Sequence, residues 1–129
     1  MPIYDHCAAF DETTGWNLSI RETETAVTAL VDVPEASRWF DGHFPGEPIL
    51  PGIAQLALVM AVLKKALGPK IAATRFSRIR FKQPIRPGTR LALDIRPKPG
   101  DPRGFAFRIT CGDDPALSGM VTISGEDEQ

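Results

Sequence analysis

The sequence predicts an α+β domain, an antiparallel β-sheet wrapped around one long central helix at about residues 52–67. Three observations carry this prediction. The segment from Gly52 to Leu67 is dominated by Ala, Leu, Met and Lys, which are good helix formers. The other patterned segments alternate apolar and polar residues with period two, the signature of half-buried strands. After the helix those segments follow one another with turn residues between them, which suits antiparallel pairing and an α+β arrangement.

Residues 1–17 carry a weak pattern and read as a short strand or a loose arm. Residues 18–20 and 26–33 alternate better. Val27, Ala29, Val31 and Val33 fall on one face, with Thr28, Leu30 and Asp32 on the other. Pro34 ends that strand, and residues 35–40 read as a helical turn. Residues 41–51 cannot be regular structure. They hold Gly42, Pro45, Gly46, Pro48 and Pro51, and proline removes the donors that a ladder or a helix interior needs.

Pro51 suits the first turn of a helix, where a missing N–H costs nothing. Gly68-Pro69 stops that helix. From Ile53 to Leu63 it is apolar around its whole circumference apart from Gln55, so burial on all sides is expected. Either a sheet wraps it, or a sheet covers one side and a second subunit lies nearby. Residues 71–83 read as a long strand with Arg78, Arg80 and Lys82 on one face and Ile79 and Phe81 on the other. Arg86-Pro87-Gly88 makes a turn. Residues 91–96 alternate, 97–104 read as a polar loop rich in Pro and Gly, and 105–110 alternate again. Residues 117–124 form a last strand, and 125–129 an acidic, frayed tail.

At 129 residues the chain reads as one domain, 1–129, able to bury a substantial core. A formal net charge of -1 argues against a nucleic-acid binder driven by bulk charge. Cys7 and Cys111 are too few for a disulfide scaffold and form no metal-ligand pattern, so no metal or other cofactor is expected. The N-terminus lacks the basic start and apolar run of a signal peptide, and the apolar helix is too short to span a bilayer. A cytoplasmic setting with no membrane span is the expectation.

The segment GHFPGEPILPGIAQ, with RIRFKQPIRPGTRL downstream, carries a resemblance. The first resembles the GHFPGxPxxPGVxQ-like signature of the hotdog-fold 3-hydroxyacyl-acyl-carrier-protein dehydratases. The second is similar to the family's RFxxPVxPGDxL strand-and-turn pattern. Their order and spacing agree, and together they cover most of the chain from about Ala26. The resemblance implies a lyase acting on (3R)-hydroxyacyl thioesters in fatty-acid or related lipid synthesis. His43 matches the base that takes a proton from the carbon next to the thioester carbonyl. Gly52 matches the glycine whose N–H holds the thioester oxygen.

Physical chemistry supports both roles. An ordinary histidine, with a pKa of about 6.5, accepts a proton near neutral pH. A helix N-terminus presents unpaired N–H groups where enolate charge would develop. Phe44, Pro51, Ile53, Gln55, Leu56 and Ala57 would border the substrate. The family's second group is a carboxylate fourteen residues after the histidine, which protonates the leaving hydroxyl. Here that position is Ala57, and no Asp or Glu follows Glu47 until Asp94.

Plainer readings stand beside these. Taken alone, His43 is a loop histidine satisfied by backbone bonds, and Gly52 a small residue at a close approach. The basic run with Arg78, Arg80, Lys82 and Arg86 is either a solvated sheet face or a dock for an acidic acyl-carrier protein or for coenzyme A phosphates. The alternatives to a self-sufficient dehydratase are a hetero-oligomeric one whose partner supplies the acid, a non-catalytic acyl-thioester or carrier-protein binding module, and a hotdog thioesterase. A homodimer, or a higher oligomer of dimers, is expected from the apolar helix and an uncovered sheet edge.

Overall fold

The computed structural model describes residues 3–4, 17–23, 25–33, 50, 52–68 and 70–124. Among the described residues there are one helix and seven strands in chain order: β1 (Ile3–Tyr4), β2 (Asn17–Glu22), β3 (Val27–Asp32), α1 (Gly52–Leu67), β4 (Ala72–Phe81), β5 (Arg90–Lys98), β6 (Asp101–Cys111) and β7 (Asp114–Ser124). All strands join one antiparallel sheet in the order β1-β2-β3-β5-β6-β7-β4. The strand that follows the helix therefore crosses to the far edge. The helical turn expected at 35–40, the histidine loop and the tail at 125–129 lie outside the described residues.

Period-two patterning decides the sheet's two faces. Leu18, Ile20, Val31, Leu91, Ile95, Ile109 and Leu117 are fully buried on the helix side. Against them α1 places Leu58, Val59, Val62 and Leu63, each also fully buried. The Thr23 hydroxyl closes the β2–β3 turn by accepting from the backbone N–H of Ala26 at 2.9 Å. At the other end of the helix, Gly68 N–H donates to Lys64 C=O at 2.9 Å with Gly68 at φ 128°, a backbone that side chains resist.

Two expectations need correction. Residues 97–104 are not a loop: β5 runs through Lys98, β6 starts at Asp101, and only Pro99-Gly100 turns between them. The prolines that suggested a loop, Pro97 and Pro102, sit at the hairpin end beside a register shift, where proline does little damage to a ladder. Nor does one chain bury α1 on all sides, so of the two arrangements expected a sheet wrapped fully around the helix is the one corrected. Its buried residues are Ala54, Gln55, Leu58, Val59, Ala61, Val62 and Leu63, while Ile53 is 70% exposed and Leu67 44%. One sheet curls around only part of a helix, and a face spaced three and four residues apart stays open.

Strand β4 is an edge and an irregular one. Its register against β7 shifts between Ala73 and Arg75 and again between Ser77 and Arg80. In the second shift Arg78 takes φ 55°, the only non-glycine with positive φ among the described residues. That is a β-bulge, in which two residues stand opposite one on the partner strand.

Candidate functional site

The first four N–H groups of α1, from Gly52 to Gln55, have no partner within the helix. They leave a partial positive charge at that end, and the first turn carries no acidic residue. The chain that enters the helix is held from two directions. Leu50 N–H donates to Ile85 C=O at 2.7 Å, and Gln55 Nε2 donates to Leu50 C=O at 3.2 Å. Gln55 is 3% exposed, so it serves the helix entry from inside the core rather than from the open face. Its Oε1 finds no hydrogen-bond partner among the described residues.

Phe81 lies directly over Gly52. A Cβ built on Gly52 would stand 2.7 Å from Phe81 Cζ, so only glycine lets the ring approach the helix end this closely. Register explains how the ring arrives there. Phe81 pairs with the buried Leu117 and so points to the helix side of the sheet, at the end of β4, the edge strand among the described residues. The ring remains 54% exposed. The strand face of Phe81 was legible in the alternation, but its position on Gly52 was not. The second motif, in which Phe81 sits, was the available signal.

Along the open side of α1, Ile53, Leu56, Ala57, Met60, Lys64 and Leu67 succeed one another at helical spacing. Gly52 and Ala57 are half-buried on that side, as are Leu56 and Met60. An apolar strip thus leads away from the helix N-terminus, bordered by Phe81. It carries no carboxylate, since α1 contains no Asp or Glu. His43, Phe44 and Pro51 lie outside the described residues. The structure therefore brings together Gly52, Ile53, Leu56 and Ala57 of the expected set and turns Gln55 inward.

The basic residues divide. Arg78 and Arg80 line a groove on the outer face of the sheet, away from the helix. Lys82 and Arg86 lie beyond the end of β4, where Lys82 N–H donates to Ala116 C=O at 2.8 Å.

An ion pair elsewhere on the outer face shifts two acidities. Arg90 Nε donates to Asp32 Oδ1 at 2.8 Å, and that bond holds the Asp32 carboxyl below its ordinary value and Arg90 above its own. Burial first, and the Asp114 charge second, push the Cys111 thiol up. Among the described residues no group of three His, Cys, Asp or Glu could hold a metal ion, and no helix is long and apolar enough to cross a membrane.

Comparison with known proteins agrees with this geometry. The 3-hydroxyacyl-[acyl-carrier-protein] dehydratase FabZ of Syntrophobacter fumaroxidans is 34% identical over 82 residues, which are 57% of this chain and 56% of that protein. The chain thus spans about half the length of the curated relatives it matches. Among solved structures, the dehydratase heterocomplex ApeI:P from Xenorhabdus doucetiae superposes with a TM-score of 0.72 at 26% identity, covering 81% of this chain and 92% of that one. A protein from Erwinia carotovora subsp. atroseptica superposes with a TM-score of 0.68 at 34% identity over 84% of this chain and 92% of that one. The family model described as ApeI-like, ApeI dehydratase, matches residues 19–120. That match takes in the sheet from β2 into β7, the Gly52 helix and the Phe81 strand, and so the chain is a hotdog-fold member of the ApeI-like dehydratase family.

Proposed function

We propose that this protein acts on (3R)-hydroxyacyl thioesters, eliminating water to leave the 2-enoyl thioester, in fatty-acid or related lipid synthesis in the cytoplasm. The observation that carries the reading is the helix N-terminus at Gly52. It is a donor set without intrahelical partners at the head of an open apolar strip, directly after a histidine-bearing segment whose sequence matches the family signature.

In this mechanism the thioester oxygen accepts from Gly52 N–H, where charge builds as the enolate forms. The His43 imidazole takes the proton from the carbon next to the carbonyl. The electron pair then moves to form the double bond, and the hydroxyl leaves with a proton as water. The acyl chain lies along Ile53, Leu56 and Ala57, with Phe44 and Pro51 framing the entry, while Gln55 braces the helix entry from the core. Docking of an acyl-carrier protein or coenzyme A thioester falls to Lys82 and Arg86, beyond the end of β4, since Arg78 and Arg80 face the outer groove away from the helix. No cofactor enters the reaction.

The proton for the leaving hydroxyl must come from a group other than residue 57. A second reading follows: the chain is one subunit of a hetero-oligomeric dehydratase, and a partner chain supplies the acid. The absence of any carboxylate on α1 favours it, as does the structural likeness to a chain of the heterocomplex ApeI:P.

The test is turnover of 3-hydroxyacyl thioesters by the natural chain, by His43→Ala and by Ala57→Glu. The expected result is weak turnover by the natural chain alone, loss with His43→Ala, and a gain of roughly a hundredfold with Ala57→Glu, the typical size of a general-acid contribution. Full activity of the natural chain alone, unchanged by Ala57→Glu, sinks the claim that position 57 lacks the acid. Tight binding of acyl thioesters with no turnover by any form would instead make this a binding module.

A further inference from the structure

We infer that the outer face of the sheet carries a second binding site, for a nucleoside-diphosphate-like ligand, in the groove between Arg78, Arg80, Arg96 and Arg108. This groove lies across the sheet from Gly52, and the inference does not depend on the dehydration reading.

Strand register places the four arginines. Arg108 stands opposite Ser118, and Ser118 stands opposite Arg80, so two arginines flank one small residue in a single row across three strands. Their Cα atoms are two strand spacings apart, about 10 Å. Side chains of that length can converge above the serine. In the neighbouring row Arg96 stands opposite Ala106, and Ala106 opposite Met120. The floor is thus Ser118, Ala106 and Met120, uncharged throughout, while the walls are cationic. The bulge in β4 then places Arg78 on the same groove as Arg80. Arg78 holds a left-handed backbone at φ 55°, where glycine is the comfortable residue. An arginine kept in a glycine position is a strained feature that aims charge at this groove.

Charge identifies the ligand. The groove contains four arginines and one acid, Asp94. Both oxygens of Asp94 are engaged by Arg96, from Nε at 3.0 Å and from Nη2 at 3.2 Å. Asp94 stands across from Arg108 but makes no ion pair with it. Four positive charges less one negative leave three unmatched. A single carboxylate would balance one of these. A diphosphate carries roughly three negative charges near neutral pH and presents the oxygens that guanidinium forks pair with two at a time.

Size and floor argue for more than the phosphates. The groove encloses about 510 Å³, within the range of roughly 300–1,000 Å³ typical of small-ligand sites. Met120 and Ala106 offer a flat apolar surface beside guanidinium planes that stack on aromatic rings. A nucleobase fits that pairing.

The experiment is calorimetric titration of the full chain with ADP, pyrophosphate, coenzyme A and an acidic acyl-carrier protein at low ionic strength. Saturable ADP binding at one site per chain is expected, tighter than pyrophosphate. Arg80→Gln and Arg108→Gln should each weaken it by roughly tenfold, the loss of one charge-assisted hydrogen-bond pair. Ser118→Asp keeps every arginine but puts a carboxylate between two of them, and should abolish binding while circular dichroism shows an intact fold. Arg90→Gln, on the same face but paired with Asp32 outside the groove, should leave ADP binding unchanged. If coenzyme A binds more tightly than ADP with the same sensitivity, the diphosphate is that of coenzyme A; if equally, a free nucleotide suffices. Absence of saturable ADP and coenzyme A binding, or binding that survives Ser118→Asp, overturns the site. Pyrophosphate binding as tightly as ADP overturns the base-stacking floor. Binding of the carrier protein alone overturns the small-ligand reading and returns Arg78 and Arg80 to docking.

Discussion

Gly52 and Phe81 meet at a single contact, and their identities are mutually dependent. The ring can cover the helix end only because no side chain stands there. Gly52→Ala would set a methyl against Phe81 Cζ, but the ring is half-exposed and can swing aside. Alanine also favours the helix. We therefore expect a stability change within about 1 kcal/mol by thermal unfolding. Turnover should nevertheless fall by tenfold or more, because a displacement of about 1 Å near reacting atoms can cost about a hundredfold. The double variant Gly52→Ala, Phe81→Leu should recover part of the loss by making room. An unchanged kcat in Gly52→Ala would mean that the helix end is not where the thioester oxygen binds.

At the scale of elements, the second irregularity of β4 is the unusual one. A bulge on an edge strand normally places glycine at the left-handed position, and here Arg78 occupies it. For L-residues that conformation costs roughly 1–2 kcal/mol, while glycine loses about 0.5–1 kcal/mol of chain entropy on ordering. Arg78→Gly should leave the unfolding free energy in urea unchanged or raise it by up to about 1 kcal/mol. The same substitution should weaken ADP binding to the outer groove. A protein clearly destabilised by Arg78→Gly would show that the arginine supports the fold rather than the groove. The hairpin between β5 and β6 illustrates a different point. Proline and glycine counts marked 97–104 as a loop, yet pairing with neighbours extends both strands to a two-residue turn. Local composition is a weak signal where cross-strand pairing decides the outcome.

For the whole molecule, the open strip on α1 and β4, the edge strand among the described residues, adjoin through Phe81. Ile53, Phe81 and Leu67 are large apolar residues left exposed by one chain. Such a surface is the kind that a second subunit covers. We expect a dimer by sedimentation equilibrium, and Ile53→Asp should shift it to monomer while leaving the fold intact. A natural chain that sediments as a monomer at tens of micromolar would require another cover for this strip. A homodimer would also bring a second copy's residues to the Gly52 end of the helix, and a heteromeric partner could do so with a carboxylate.

The sequence by itself determined the helix, the order of the strands along the chain and their faces, though not the β5–β6 hairpin. Residues 52–67 form the helix, the period-two residues of β3, β5, β6 and β7 face it, and Phe81 and Ile79 lie on the opposite side of their strand from Arg80. These properties are local: helix propensity, turn residues and side-chain periodicity act within a few positions of each other. The loop-and-helix motif was equally legible, because it is contiguous, and it pointed to the family that the chain belongs to. Only the tertiary structure decided which part of α1 stays open, that Phe81 rests on Gly52, and that Arg78 and Arg80 share a groove with Arg96 and Arg108. Those facts depend on strand order and register between residues far apart in the chain, and a bulge of one residue is enough to redirect a side chain. Alternation told which arginines face outward; pairing across β5, β6, β7 and β4 told which of them meet.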